Sequence, residues 1–514
     1  MIKYPRCAID VMRLLQKHVN ADIMIAYLIS RKGNPMKFGR QMRLFTEQQV
    51  KKVHTRSLDM LEKIGINIDS KSARDIFQSR GCEIKDRRVH IPGTLMEELL
   101  AHRQDDIVFH SRTGKALNVS KDGPFMHNGG ICADIMNIRD GLTRRATTQD
   151  AADLVRLGDR LENLDMLITP VYPSDVPDNL SIMLSAKLAF ENTDKPIVGA
   201  GLRNLAEGEI LYQMCCALAG GEDALRSKPM IYMGSCPHSP LSIIEDDCDM
   251  IMFAAEKGLP VDANAAPIAG LTAPVTLLGS LTQQNAECLA VAALARLIDP
   301  TAKIMYLPRL TSANLMKMSV YTGTPHNAIM SACAAQLAAY YGFVSDVYGL
   351  ATSVALDGAQ MGLEKAIIAM YPVMAGAQIL SGFGTVADCS ALSYEMMLFD
   401  NEIFGMIKHL LGTIEDDEDD LGFEAVLNVV GGSSFIEEDN TFEYMKSQEI
   451  WNYKDSICVN TAYPSWINTD KKTMLDNAEE KVREILKTHT PHPLPDDQRK
   501  ELDAIYKHWE TRCN

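Results

Sequence analysis

Short apolar segments and longer amphipathic segments alternate along the chain from about residue 160 onward. In the longer segments, apolar residues recur at intervals of three and four, as on one face of a helix, and several of these segments end at glycine. The short segments are rich in β-branched and other apolar residues, which is typical of buried strands. We interpret eight of them as strands: 164–172, 195–202, 228–236, 259–267, 302–310, 342–350, 375–384 and 424–432.

Strands that alternate with helices pair in parallel, because parallel neighbours need a crossover connection. Eight such units in about 270 residues predict an α/β fold, a closed (β/α)8 TIM-type barrel. An open, doubly wound sheet is the alternative, but no GxGxxG motif follows the first strand, so we favour the barrel. We assign residues 151–450 to it.

The segments on either side of the barrel have different patterns. Residues 37–150 mix helical and strand patterns and predict an N-terminal α+β cap, and residues 451–514 predict C-terminal helices that serve as a cap or a dimer contact. Residues 1–36 fit poorly with the rest of the chain, and we assign this N-terminal extension no role. We interpret the acidic run 415–420 as a solvated surface turn.

Composition excludes several classes of function. The formal net charge of −16 over 514 residues argues against nucleic-acid binding, which requires a basic face. The twelve cysteines include no CxxC pair, and Cys236 and His238 form a lone C-x-H, so we predict no metal site. No run of eighteen apolar residues occurs, so we predict no membrane span. We expect reduced thiols and a cytoplasmic location.

The stretch AAPIAGLTAPVTLLGSLTQQNAE (265–287) joins the fourth predicted strand to its helix and carries no charge before Glu287. As a βα loop it belongs at the C-terminal mouth of the barrel, where such folds keep their active sites. We expect Thr272 to cap the helix and Pro274 to lie in its first turn. An uncharged loop of small residues favours contact with a large, flat, apolar group; a merely tight, well-capped loop is the alternative.

Three segments resemble the trimethylamine methyltransferase family of corrinoid-dependent enzymes: APIAGLTAPVTLLGSLTQQNAECLA, GLATSVALDGAQMGLEKAIIAMYPVMAGAQILSGFG and GGSSFIEEDNTFEYMKSQEIW. The resemblance implies a barrel enzyme that moves a methyl group from an N-methylated amine to cobalt(I) of a separate corrinoid protein, the partner, with no covalently bound cofactor of its own. We expect the corrinoid to face small residues of two mouth loops: Gly270, Thr272, Ala273, Gly382 and Gly384.

The substrate class follows from a residue that the chain lacks. Archaeal members of the family carry pyrrolysine and act on trimethylamine, whereas this barrel contains only the twenty standard residues. The chain therefore resembles the non-pyrrolysine branch, which demethylates quaternary amines such as glycine betaine, proline betaine or carnitine. A quaternary ammonium loses a methyl group as a neutral amine leaves, so the protein needs only to align the reactants and exclude water. Trimethylamine is the alternative substrate. We expect a homo-oligomer.

Aromatic faces bind quaternary ammonium groups, and three aromatic residues stand at predicted strand ends: Tyr172, Tyr348 and Phe383. The alternative for each is packing in the core. Asp346 lies two residues before Tyr348 on the same face of its strand, and we take these two as the catalytic candidates. A buried carboxylate needs a partner, which an ammonium group or a neighbouring arginine would supply.

Three polar residues complete the predicted substrate site. Arg309 closes the fifth predicted strand and is a candidate clamp for a betaine carboxylate, with a structural salt bridge as the alternative. Asn264 and Gln360 are weaker candidates, because polar groups near a helix start often act as caps or face solvent.

Two other functions fit parts of the sequence. SGFG (381–384) and VGGSS (430–434) occupy positions where many barrels bind phosphate, which would indicate an aldolase or an isomerase. No lysine lies at the C-terminal end of a predicted strand, so Schiff-base chemistry has no obvious residue. The third interpretation is a non-catalytic binder of a corrinoid protein.

Overall fold

The structure is a computed structural model, which describes residues 42–412, 421–445, 451 and 455–513. The N-terminal extension (1–36) and the acidic run (415–420) lie outside the described residues. No helix in the described ranges is long and apolar enough to cross a membrane.

Eight parallel strands form the centre of the molecule. They are β1 Phe125–Asn128, β2 Leu167–Ile168, β3 Ile197–Gly199, β4 Met233–Ser235, β5 Val261–Ala263, β6 Ile304–Tyr306, β7 Val344–Tyr348 and β8 Ile379–Phe383. Six pair in the order β4-β5-β6-β7-β8-β1, and β2 pairs with β3. A bridge between His127 and Met166 joins β1 to β2, and the bond from Tyr232 N to Val198 O (3.0 Å) connects the β4 segment to β3. The sheet is therefore closed, which confirms the predicted barrel.

A helix follows every strand of the barrel. The eight helices are α1 Thr148–Arg160, α2 Asp178–Glu191, α3 Leu205–Ala219, α4 Glu245–Lys257, α5 Leu277–Ile298, α6 Pro325–Tyr341, α7 Ala359–Met374 and α8 Tyr394–Leu410. Three of them end at glycines with positive φ, Gly220 at 90°, Gly258 at 73° and Gly342 at 73°. These are the glycine stops that the sequence pattern predicts.

The barrel starts one strand earlier than predicted. β1 lies within the predicted cap, because FMHN is short and half polar and gives no strand pattern on its own. The segment 424–432, predicted as the eighth strand, instead contains the helix Phe423–Val429, in which no side chain is buried. A short apolar run is compatible with either element, and the solvent exposure of Val426 and Leu427 shows that this one does not enter the core.

The N-terminal region contains a small sheet, three helices and a hairpin. The sheet joins Ile66–Ile68, Glu83–Lys85, Arg88–His90 and the later Ser242–Ile243; the helices are Glu47–Asp59 (continued by a π turn, Met60–Ile64), Lys71–Ser79 and Gly93–Ala101. The hairpin pairs Val108–His110 with Ala116–Asn118. Its flanking residues Ile107 and Val119, together with Phe109, pack against inward-facing barrel residues and close the N-terminal end of the barrel.

Additional short elements surround the barrel. Asp134–Asn137, Leu142–Arg145, Thr385–Val386 and Ala391–Leu392 form one small sheet, and Ile268–Ala269, Thr311–Asn314 and Ser319–Tyr321 form another. Shorter helices are Glu222–Ser227, Phe435–Glu437, Asp439–Tyr444 and Tyr463–Trp466. The C-terminal helix Met474–Thr488 packs on α8 and α1, and Asp496–Cys513 packs on α2 and α3.

Candidate active site

The inside of the barrel changes from apolar to charged along its axis. The layer next to the hairpin is made of apolar side chains: Phe125, Met166, Val198, Met305, Val344 and Ile379. Because side chains alternate across a strand, the next inward positions lie farther toward the mouth. There we find a group that we call the barrel polar cluster: His127, Tyr232, Asp262, Arg309, Asp346 and Tyr348.

Asp346 is fully buried and both of its carboxylate oxygens are occupied. Oδ2 lies 2.9 Å from His127 Nε2, and Oδ1 accepts a hydrogen bond from Arg309 Nη2 at 2.8 Å. Burial by itself raises the pKa of this carboxyl, but Arg309, and then His127, hold it at about 2. Asp346 is therefore ionised and orients Arg309, and each of its oxygens already has one hydrogen-bond partner.

Arg309 is fixed in place but not saturated. Besides the bond to Asp346 Oδ1, Nη1 donates to the Asp346 backbone oxygen at 2.6 Å, and the guanidinium carbon lies 5.4 Å from the ring centre of Tyr348. Its other N–H groups have no hydrogen-bond partner among the described residues, and 11% of the side chain is exposed. The predicted alternatives thus coexist: Arg309 forms a salt bridge and still has donors for a ligand.

Asp262 is the second acidic group of the cluster and is only partly buried. It lies on β5 beside Gly234 of β4, where an added Cβ atom would be only 2.5 Å from Asp262 Oδ1. Burial raises its pKa to about 7, against the lowering effects of a hydrogen bond from its own backbone N–H and of Arg309. Asn264 lies two residues farther along the same face, and its buried Oδ1 has no hydrogen-bond partner in the described residues.

The loop between β5 and α5 forms a closed turn at the mouth. Ile268 N donates to Thr272 Oγ1 at 2.8 Å, and Gly270, with φ of 93°, donates from its N–H to Ala273 O at 2.9 Å. From α5, Gln283 Nε2 donates a hydrogen bond to Thr272 O at 2.8 Å. The prediction that Thr272 caps the helix is wrong, because α5 begins at Leu277 after Thr276, which also leaves Pro274 outside its first turn.

Exposed apolar side chains surround this turn. They come from the turn itself and from the hairpin between β6 and α6, and we call them the apolar rim: Leu271, Val275, Leu315, Met316 and Met318. Met316 is 94% and Met318 71% exposed. Leu315 would lie 3.1 Å from a Cβ atom placed on Gly270, so the two loops are in contact. An apolar patch of this kind indicates an interaction surface.

Three residues predicted for the mouth lie inside the protein instead. Phe383 is completely buried in the main hydrophobic core, which withdraws it as a substrate-binding candidate. Gly382 has φ of 107°, and a Cβ atom there would lie 3.1 Å from Ala351 N. Gly384 donates its N–H to Asp400 Oδ2 at 2.7 Å and is also buried. Both glycines permit close packing of the backbone, and neither is exposed at the mouth.

Two more predicted residues lie apart from the cluster. Tyr172 follows β2, packs against the main core and has Arg203 and Glu207 as its nearest charged neighbours. Gln360 is exposed on α7, where its Nε2 donates to Glu364 Oε1 at 2.7 Å. The structure therefore brings together Asp346, Tyr348 and Arg309 but not these two.

The two glycine segments predicted to bind phosphate do not lie at the mouth of the barrel either. SGFG is buried, and VGGSS follows the helix Phe423–Val429 rather than a barrel strand. The interpretation as a phosphate-binding aldolase or isomerase therefore loses both of its structural supports.

Sequence reasoning missed His127 and Asp262. His127 was missed because its strand was not recognised. Asp262 had a usable signal: in VDANAAP, Asp262 and Asn264 alternate with alanines, so they share one face of the strand.

The sequence pattern of the trimethylamine methyltransferase (MTTB) family matches residues 28–511. The chain belongs to this family. Among its relatives, trimethylamine methyltransferase MttB of Desulfitobacterium hafniense (strain DSM 10664 / DCB-2) is 28% identical, covering 91% of this chain and 94% of its own. MttB of Methanosarcina thermophila is 29% identical, covering 91% and 97%. A glycine betaine methyltransferase of D. hafniense (strain Y51) is 27% identical, covering 90% and 96%.

Solved structures are similar in fold. The crystal structure of a hydroxylamine MtmB complex superposes with a TM-score of 0.50 at 13% identity, covering 93% of this chain and 90% of that chain. The family relationship by itself identifies the chain as an enzyme that transfers methyl groups from amines, as the sequence motifs predict.

Proposed function

We propose that this enzyme takes the methyl group from a quaternary amine of the betaine class and passes it to the corrinoid of a separate protein. The observation that carries the proposal is the position of Arg309. Asp346 fixes its guanidinium inside the barrel, and the remaining N–H donors have no partner among the described residues. A fixed guanidinium recognises a carboxylate through two parallel hydrogen bonds. Trimethylamine has no carboxylate, whereas betaines and carnitine do.

The ammonium end of such a substrate has suitable surroundings in the same cluster. Tyr348 is partly buried and lies against Arg309, so its ring borders the place where a carboxylate bound by Arg309 would be held. The face of an aromatic ring attracts a desolvated ammonium group by about 0.5–2 kcal/mol. His127, Asp346 and Arg309 hold one another in place, which fixes the orientation of the bound substrate.

The corrinoid partner is expected at the apolar rim. Gly270, Thr272 and Ala273 are partly exposed, carry little bulk and border the exposed side chains of the rim. Such a surface fits a large apolar ring and the protein that carries it. The bound corrinoid would supply the nucleophile, cobalt(I). The residues of this chain would align the methyl group with the mouth and exclude water.

The test is a demethylation assay with the purified chain, a reduced corrinoid protein and a panel of amines, following the cobalt(I) absorbance. We expect turnover of at least one of glycine betaine, proline betaine and carnitine, and none of trimethylamine. Turnover of trimethylamine with no turnover of any betaine would contradict the substrate class. Binding of the corrinoid protein without turnover of any amine would favour a non-catalytic binder.

A further inference from the structure

Asp262 differs from the other charged side chains of the barrel polar cluster because, within the described ranges, its carboxyl has no ion-pair partner and accepts a hydrogen bond only from its own backbone N–H. Arg309 and Asp346 form an ion pair at 2.8 Å, and His127 occupies the other oxygen of Asp346. Within the described ranges, the Asp262 carboxyl has no ion pair and no hydrogen bond to another side chain. Its neighbour on β4 is Gly234, which places no side chain over it.

A quaternary ammonium group would bring an additional positive charge into this cluster. The charge of Asp346 is already balanced by Arg309, so it gives the substrate little. An unpaired charge inside a protein is costly, which makes a free carboxyl the expected counter-ion. Building on the proposed function, we propose that Asp262 is the counter-ion of the substrate ammonium group and releases a proton to solvent when that group binds.

The protonation of Asp262 fits this role. Burial raises its pKa to about 7; the hydrogen bond from its own backbone N–H and the charge of Arg309 oppose the shift, whereas Asp346 and Asp247 add to it. The carboxyl is therefore partly protonated at neutral pH, and a cation beside it lowers the pKa and expels the proton. Below about pH 7 binding must displace a proton, so the Kd falls as the pH rises and becomes constant above that value.

The other groups that face Asp262 do not titrate in the same way. Tyr232 on β4 has a pKa raised far above its usual value by burial, and burial raises the pKa of the Cys236 thiol to about 11. Asp346 stays ionised, with a pKa of about 2. Asp247 on α4 competes as a proton source, because burial raises its pKa to about 6, and the imidazole of His127 on Asp346 is a further titratable group of the cluster. Asp247→Asn is therefore the matched control for Asp262→Asn.

The experiment is titration calorimetry of the full chain with glycine betaine, proline betaine and carnitine at about pH 6.5, in phosphate and in Bis-Tris. The difference in heat between the two buffers gives the number of protons released. We expect about 0.5–0.8 proton for the wild-type chain and for Asp247→Asn, and a value near zero for Asp262→Asn. The Kd of the wild-type chain should be about tenfold higher at pH 6 than at pH 8.

A ligand that keeps the carboxylate but has no positive charge separates the contributions of the two ends of the substrate. 3,3-Dimethylbutyrate has the shape of glycine betaine but a carbon in place of the nitrogen, so it should bind without releasing a proton. Betaine binding with no proton release by the wild-type chain contradicts the counter-ion role, whether or not Asp262→Asn folds. Equal release by Asp262→Asn, or by 3,3-dimethylbutyrate, contradicts it as well. If none of the three amines binds, the proposed function fails, and this inference fails with it.

Discussion

The two ends of the barrel are built from the same eight strands but differ in the polarity and the solvent exposure of their side chains. At the N-terminal end, the hairpin and the first inward layer bury apolar side chains completely, including Ile107, Met305 and Ile379. At the C-terminal end, charged groups line the inside and apolar side chains face solvent on the rim. One end stabilises the fold, whereas the other contains the barrel polar cluster and the apolar rim.

Strand β7 contains this transition within a single element. Val344 belongs to the apolar layer, Asp346 to the polar cluster, and Tyr348 borders the mouth. The four steps along the strand from Val344 to Tyr348 span only about 13 Å, at about 3.3 Å per step. The favourable free energy of burying apolar side chains at one end therefore offsets the cost of desolvating the charges a short distance away, as long as those charges are paired.

The first way to test this division is to remove a side chain from the closed end. Ile107→Ala deletes apolar atoms from a fully buried position and should lower the free energy of unfolding by about 2–5 kcal/mol. Denaturant unfolding measures this change. Leu117→Ala is the control, because Leu117 packs against the same cluster but is only partly buried, so its loss should be smaller.

The relative activity of the Ile107→Ala enzyme toward different amines should not change, because Ile107 lies in the layer below the polar cluster. A changed preference among amines would show that the two ends are not separate in function.

The second test concerns the guanidinium at the open end. Arg309→Lys keeps the positive charge beside Asp346 but loses the planar pair of donors. Charge-assisted hydrogen bonds contribute about 1.5–3 kcal/mol each, so the Kd for glycine betaine should rise by about 10–100-fold. Choline, a quaternary amine with no carboxylate, should bind with nearly unchanged affinity. Equal losses for both ligands, together with a lowered melting temperature, would make Arg309 a scaffold residue.

The sequence predicts the regular part of this protein better than its site. Period-3.6 helices, glycine stops and the alternation of elements are local signals, and they place the strands from β2 to β8. β1 carries too few apolar residues to stand out, and without it His127 could not be placed in the barrel. Whether a glycine faces solvent depends on what packs against it, as at Gly382 and Gly384, and no local pattern contains that information.

The apolar rim provides the third test, with the smallest expected effect. Met318→Asp places a charge on the rim, whereas Leu410→Asp places one at the C-terminal end of α8, which lies at the opposite end of the barrel. The two residues are matched, since Met318 is 71% and Leu410 70% exposed, so neither change should affect the fold.

If the corrinoid protein docks on the rim, Met318→Asp should weaken its binding by about tenfold, which corresponds to about 1.4 kcal/mol. Leu410→Asp should leave that binding unchanged. Because the aspartate of Met318→Asp lies outside the barrel polar cluster, the Kd for the amine measured without the partner should be the same in both variants. Methyl transfer at increasing concentrations of the corrinoid protein checks this: a raised KM for the partner with an unchanged kcat locates the defect in docking. Equal effects of the two substitutions would instead remove the rim from the interface and leave its exposed methionines unexplained.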